Sequence, residues 1–365
     1  MSMHGDRRLV TALHWFHKHF LWFLIATYAV AAYAPAAGLK IRAVSFGTIS
    51  LFGGSTHLTL PAVMLGLLLL NAGLGVRTTE LNRLFTNPRP LAFGLAANLL
   101  VPIVFIALVS QSTGFWHNSD ELQSILVGLA LVASMPIAGS SSAWAQNADG
   151  DLALSLGLVV VSTLVSPFTT PLSLHAAGLM AQGDYAASLH QLAGHGTGAF
   201  LAVCVVFPSM LGIVLRQLLG DRLTDRMRPW LKLANSANLL VLCYSNAAIS
   251  LPQAVAQPDL DFLVAILAIT ASLCMFAFGS GWGLGHLLKL QAGGRASLMY
   301  GLGMNNNGTG LVLASFAFAD HPRILLPIII YNLVQQMVAG ALNALATSAA
   351  NAPKPDARAL APATG

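Results

Sequence analysis

Charge is what this sequence has least of. Its 365 residues include 18 Lys and Arg and 13 Asp and Glu, 8% charged in all, where a soluble domain carries about a quarter. So few ionic groups cannot cover a water-facing surface, which excludes a soluble globular protein. Cysteine is almost absent too. Cys204, Cys243 and Cys274 each sit inside an apolar run, without CxxC spacing or an adjacent His. Disulfide scaffolds and thiolate metal sites are thereby excluded, and small buried hydrophobes remain. The apolar runs also lack acid. All thirteen Asp and Glu fall in loops, tails or run ends, and His57, His175 and His286 lie toward run ends as interfacial residues do. A membrane-embedded enzyme would need an acidic diphosphate motif, a nucleophile–base pair or a metal cluster, and the runs offer none. A receptor would need a soluble output domain, for which the tails are too short.

What the sequence does have is apolar length: 56% hydrophobic residues and a mean hydropathy of +0.70. Runs near the ~20 residues that span a bilayer recur from end to end, for example at 20–34, 58–76, 93–109, 200–215 and 262–278. They predict an all-α integral membrane protein with about ten transmembrane spans. The spans fall at 19–35, 58–76, 90–110, 122–147, 152–177, 197–218, 231–250, 262–288, 296–318 and 323–348. Arg7 and Arg8 before the first run imitate a leader peptide. No small-residue cleavage site follows, so the run is read as span one. Residues 1–18 then form an N-terminal segment, 19–348 the transporter body, and 349–365 an Ala- and Pro-rich tail expected to be disordered.

With these spans, 15 of the 18 Lys and Arg residues share one side with both tails. Only Lys40, Arg42 and Arg323 lie on the other, beside Asp120, Glu121, Asp184, Asp259 and Asp261. The positive-inside rule then places both termini in the cytoplasm of a multi-pass inner-membrane protein. The net charge of +5 reports orientation and not a nucleic-acid partner.

Comparable apolar runs start near residues 20 and 200, giving two sets of five spans, 19–177 and 197–348. A duplicated unit with an odd number of spans inserts upside down relative to its twin, so an inverted repeat is expected. The fourth span of each half is interrupted. One holds Met135-Pro136-Ile137-Ala138-Gly139-Ser140-Ser141-Ser142, the other Gly303-Met304-Asn305-Asn306-Asn307-Gly308-Thr309-Gly310. Pro136 removes a helical hydrogen bond and clashes with the preceding turn. The glycines loosen the second helix, and Ser and Asn offer the backbone competing bonds. Unpaired backbone in hydrocarbon costs several kcal/mol per group, so such breaks persist only beside a polar cavity or under protein cover. A single break would suit a structural kink. Two matched polar breaks point to a transporter's binding site.

The residues from Met135 to Pro171 resemble the bile acid:sodium symporter family. After the Pro break come Asn147-Ala148-Asp149-Gly150-Asp151-Leu152-Ala153-Leu154-Ser155 and Ser162-Thr163-Leu164-Val165-Ser166-Pro167-Phe168-Thr169-Thr170-Pro171. Gly303-Met304-Asn305-Asn306-Asn307-Gly308 is similar to that family's Gly-Met-Gln-Asn-Ser-Gly. Residues 81–90 with Asn98-Leu99-Leu100-Val101-Pro102 are similar to its approach to span three. The resemblance implies a core domain of spans 3–5 and 8–10, a panel domain of spans 1, 2, 6 and 7, and broken spans four and nine crossing at mid-membrane. It further implies a small organic anion as substrate, bound in the cleft between domains that rock to give alternating access, usually with sodium. Beyond Na+ it implies no cofactor, and the lipid bilayer is the surrounding partner.

The resemblance places substrate at Asn306 and beside Gln335 and Gln336, which stand where the family has a His-Asn pair, and the expected half-helix N-termini add Ser140 and Asn307. Sodium would meet Ser141, Ser142, Ser155, Gly301, Leu302, Met304 and Asn305. Here the sequence departs from the family. Gly301 stands where a shared carboxylate is expected, Val159 where a Thr is, and Ala97 where a Gln is. Sodium held by neutral oxygens alone loses the attraction of a nearby unit charge, so coupling is expected to be weak or absent. Two half-helix N-termini facing the crossing favour an anion, with Ser140–Ser142 and Asn306–Asn307 as their expected caps. A sodium-independent carrier or a channel-like facilitator is the alternative.

Overall fold

The computed structural model describes residues 15, 19–51, 54–77, 79, 87–111, 116–194, 196–318 and 320–350. Apart from Trp15, the N-terminal segment lies outside the described residues, as does the tail from 351 on.

Helices fill every stretch expected to span. They are α1 (Phe20–Tyr33), α2 (Ala36–Ala43), α3 (Leu60–Leu74), α4 (Arg89–Ser110), α5 (Ser119–Ala133), α6 (Ser140–Asn147), α7 (Leu152–Gly178) and α8 (Gly183–Gly194). Then follow α9 (Thr197–Ala247), α10 (Leu251–Ala256), α11 (Leu260–Leu287), α12 (Ala292–Gly303), α13 (Asn307–Ala317) and α14 (Leu325–Ala350). By length and apolarity, α4, α7, α9, α11 and the chain from Pro322 through α14 can each cross a membrane outright. The pair α1–α2 is bent by 91° and passes the same test only when taken together. The stretch expected as span two holds the 15-residue α3, and those expected as spans four and nine hold the pairs α5/α6 and α12/α13. The stretches expected as spans six and seven are two helical arms of α9 that meet at a kink at Gly220 (φ 76°, ψ 160°), a positive-φ backbone that glycine adopts without strain.

One element departs from the all-α expectation. Strands β1 (Ser45–Leu51) and β2 (Gly54–Thr59) form an antiparallel hairpin ahead of α3. Thr48, Ile49, Thr56 and Thr59 are β-branched and Phe46 is aromatic, so the segment favours a pleated chain over a helix. Thr59 then caps α3 by accepting from the Ala62 N–H, and Pro61 stands in the first turn.

Two packed bodies result. In the first, α3 and α9 approach to backbone contact: a Cβ on Gly73 would lie 2.1 Å from the Ser209 carbonyl oxygen, and one on Gly212 would lie 2.1 Å from that of Leu70. Amides stitch the same pair, Asn71 Nδ2 donating to the Leu231 carbonyl (3.1 Å) and Asn238 Nδ2 to that of Met64 (2.8 Å). Tyr244 of α9 donates to the Ala34 carbonyl, joining α1 and α2 to this body. In the second body, Gly281 lets α12 press on α11, a Cβ there standing 2.4 Å from the Leu298 oxygen. Helix α5 is its axis, with Ile125, Val127, Leu129, Leu131 and Val132 fully buried. The outer surface is apolar instead, with Phe168, Leu172, Leu218, Leu260 and Val264 exposed, as lipid requires.

Candidate transport site

The two breaks meet. Residues 134–139 and 304–306 run antiparallel, Ile137 opposite Asn305. The Ala138 N–H donates to the Met304 carbonyl (2.9 Å) and the Asn306 N–H to that of Pro136 (2.9 Å). Further donors and acceptors complete the junction. Gln335 of α14 accepts from the Asn305 N–H (3.1 Å) and donates to the Asn305 carbonyl (3.3 Å). Ser162 of α7 accepts from the Ile137 N–H (3.1 Å). Thus the unwound backbone is paired inside the protein by a two-residue bridge and borrowed side chains.

Both α6 and α13 begin at this crossing, so two helix N-termini converge there. Their capping differs. Asn306 caps α13, its Oδ1 accepting from the Thr309 N–H (3.3 Å). Helix α6 has Gly139 at its N-cap and no side-chain cap, contrary to the expected role of Ser140–Ser142. Ser140 already lies inside the helix, one position too late to cap it, and Ser142 turns its hydroxyl back to the Gly139 carbonyl (2.8 Å). The amides at the start of α6 are left free of side-chain partners.

A cavity of about 430 Å³ separates the two bodies and reaches this crossing. Ser140, Ser142, Asn305, Asn306, Asn307, Gln335 and Gln336 all line it, joined by Asn71, Asn235 and Asn332. The structure thus brings all five expected substrate residues to one wall. They are not equally free. The Gln335 amide is committed to Asn305, and Gln336 accepts from the Trp144 indole N–H (3.2 Å). Asn307 is buried, with both amide atoms lacking a partner among the described residues.

The cavity mouth is cationic. Arg77, Arg216, Arg228 and Lys232 line it with a single acid, Asp225. Arg216 is buried and held by the Leu74 carbonyl (2.8 Å) and by Asp221 (2.6 Å), while Arg77 pairs with Asp225 at 3.0 Å. Sequence reading assigned these arginines to orientation alone. Nor did it single out Asn71, Asn235 and Asn332, although an amide inside an apolar run is a visible signal.

The expected sodium residues divide. Ser142 and Asn305 face the cavity, whereas Ser141, Ser155, Gly301, Leu302 and Met304 are buried behind it. The Ser141 and Ser155 hydroxyls and Asn305 Oδ1 have no hydrogen-bond partner among the described residues, as ion-binding oxygens would not. The Met304 carbonyl is already taken by Ala138. The position expected to carry a carboxylate is filled: a Cβ on Gly301 would lie 2.9 Å from Leu158 Cδ1. Leu158 belongs to a closed apolar cluster with Ile137, Leu154, Leu298 and Leu302, and Ala97 and Val159 pack against it. The neutral oxygens fit an ion, and the carboxylate's place does not.

Comparison with known proteins agrees with this architecture. Over 263 residues the chain is 28% identical to YbaS of Bacillus subtilis (strain 168), covering 71% of this chain and 79% of that protein. Over 264 residues it is 24% identical to YocS of the same organism, described as an uncharacterized sodium-dependent transporter, covering 70% and 74%. Residues 62–257 match the Sodium Bile acid symporter family. That match takes in both arms of α9, the first break and the whole wall of α3. The chain belongs to the sodium bile acid symporter family, and is a multi-pass membrane transporter, not an enzyme.

Proposed function

We propose that this protein carries a small organic anion across the inner membrane by alternating access, with sodium coupling weak or absent. The observation that carries the reading is the cavity's two ends. Its floor holds the starts of α6 and α13, and at its mouth Arg228 and Lys232 add positive charge to Arg77 and Arg216, which pair with Asp225 and Asp221. Backbone N–H groups and the positive ends of helix dipoles favour an anion on the floor. The mouth concentrates anions at the entrance by an attraction that salt screens. The positive-inside rule makes this basic end cytoplasmic. No described residue of the opposite loops lines the cavity, which favours a carrier over a channel-like facilitator.

Weak coupling rests on the back of the crossing. Gly301 supplies no carboxylate, and a Cβ there would press on the tip of the Leu158 side chain at 2.9 Å, among the apolar residues Ile137, Leu154, Leu298 and Leu302. A thermal-shift screen of organic anions on purified protein, run in sodium and in potassium, tests both parts. Stabilisation by carboxylates or sulfonates, equal in the two salts, is the expected result. Stabilisation that rises steeply and saturably with sodium contradicts the coupling proposal. Indifference to every anion contradicts the substrate class. Ohmic currents in a bilayer, in place of saturable uptake, contradict alternating access.

A further inference from the structure

At the end opposite the cavity mouth the two bodies are in contact. Leu242 of α9 is fully buried beside Gly308, and Leu311 and Val312 of α13 are equally closed off. One cation crosses this seam. Arg42 of α2 donates through one guanidinium nitrogen to Asn246 Oδ1 of α9 (3.0 Å), on its own body. Through the other it donates to the Ser315 carbonyl of α13 (2.9 Å), on the facing body. The guanidinium also lies over the Phe316 ring, 5.7 Å from its centre. Ser315 and Phe316 sit in the last turn of α13, where the helix dipole is negative and carbonyls lack helical partners. Asn246 is wholly buried, so Arg42 is fixed on its own side by a rigid partner.

We infer that Arg42 is the gating residue of the opposite end, retained by Asn246 and latched onto Ser315 and Phe316 whenever the cavity is open at the basic end. This rests on the alternating-access reading, and adds to it the bond that must break. Parting the bodies costs the charge-assisted bond to Ser315 and the ring contact, along with the neutral bond from Asn332 Nδ2 of α14 to the Tyr28 hydroxyl of α1 (3.0 Å), while the Asn246 bond travels with Arg42. An arginine suits the role because its planar fork serves two acceptors at once, which an ammonium does less well.

The test is labelling of full-length protein in liposomes by a membrane-impermeant maleimide, the three native cysteines being buried. Ser315→Cys reports the latched seam, and Ala143→Cys, exposed on the cavity wall, reports the open mouth. With Arg42 intact, Ser315→Cys should label slowly. Arg42→Ala should speed it about tenfold or more, the population shift expected from losing one charge-assisted hydrogen bond. Arg42→Lys should fall between and serves in its place if the alanine variant does not fold. Unchanged Ser315→Cys labelling in a folded Arg42 variant overturns the latch. Faster labelling there with slower labelling of Ala143→Cys supports latch and alternation together. Faster labelling there with Ala143→Cys unchanged keeps the latch and overturns alternation.

Discussion

In front of the crossing, polar side chains of α6, α13 and α14 line the cavity. Behind it, two serine hydroxyls adjoin a closed group of leucines. Both regions adjoin the same two breaks and share α7, which gives Leu152, Leu156 and Val159 to the cavity and Leu154 and Leu158 to the closed side. The front works through backbone: N-termini and a carbonyl ladder that no single substitution abolishes. The back depends on individual side chains, and with glycine at 301 and Leu158 against it no carboxylate comes from that position.

The largest effect that could break this contrast comes from restoring the acid. Gly301→Glu should destabilise the protein by several kcal/mol, because a carboxylate is buried unpaired against Leu158. Adding Leu158→Ala should recover stability in sodium and not in potassium, read by thermal unfolding in each salt. If Gly301→Glu alone is well tolerated, the back is roomier than its leucines suggest. Next comes Gln335→Ala, which leaves the Asn305 N–H and carbonyl unpaired. A loss of about 2 kcal/mol is expected, moderated by water from the cavity. Gln335→Glu should recover part of it, since it can still accept from the N–H. Asn306→Ala should cost about 1 kcal/mol through the lost cap and should also abolish anion-induced stabilisation. Asn306→Asp separates the two roles, keeping the cap while repelling the anion. The smallest effect is Ser155→Ala, within about 0.5 kcal/mol, since its hydroxyl has no protein partner to lose. A sodium response that vanishes in Ser155→Ala would show the back to be a working ion site.

Much of the front was legible in the sequence. Pro136 and the Gly303–Asn307 run mark breaks because proline and glycine act on the backbone itself, and the Asn and Ser beside them carry polarity into an apolar stretch. What each polar group does there was not legible. Gln335 and Asn306 look alike as cavity amides, yet one is bound to the strand and the other caps a helix; only the position of partners distinguishes them. The back was half visible. Gly301 and Val159 stood out as departures, whereas Leu158 is one apolar residue among many on α7 and carries no local signal. The hairpin was missed because span-finding reads hydropathy, and residues 45–59 are β-branched without being strongly apolar. The kink between the two arms of α9 falls at Gly220, one glycine among 33.

The bridge between Ile137 and Asn305 has a mechanical meaning. Each break gives the other one donor and one acceptor, so neither can slide or rewind without stripping its counterpart. Four half-helices are therefore pinned at a common axle, and whatever tilts one must carry the rest.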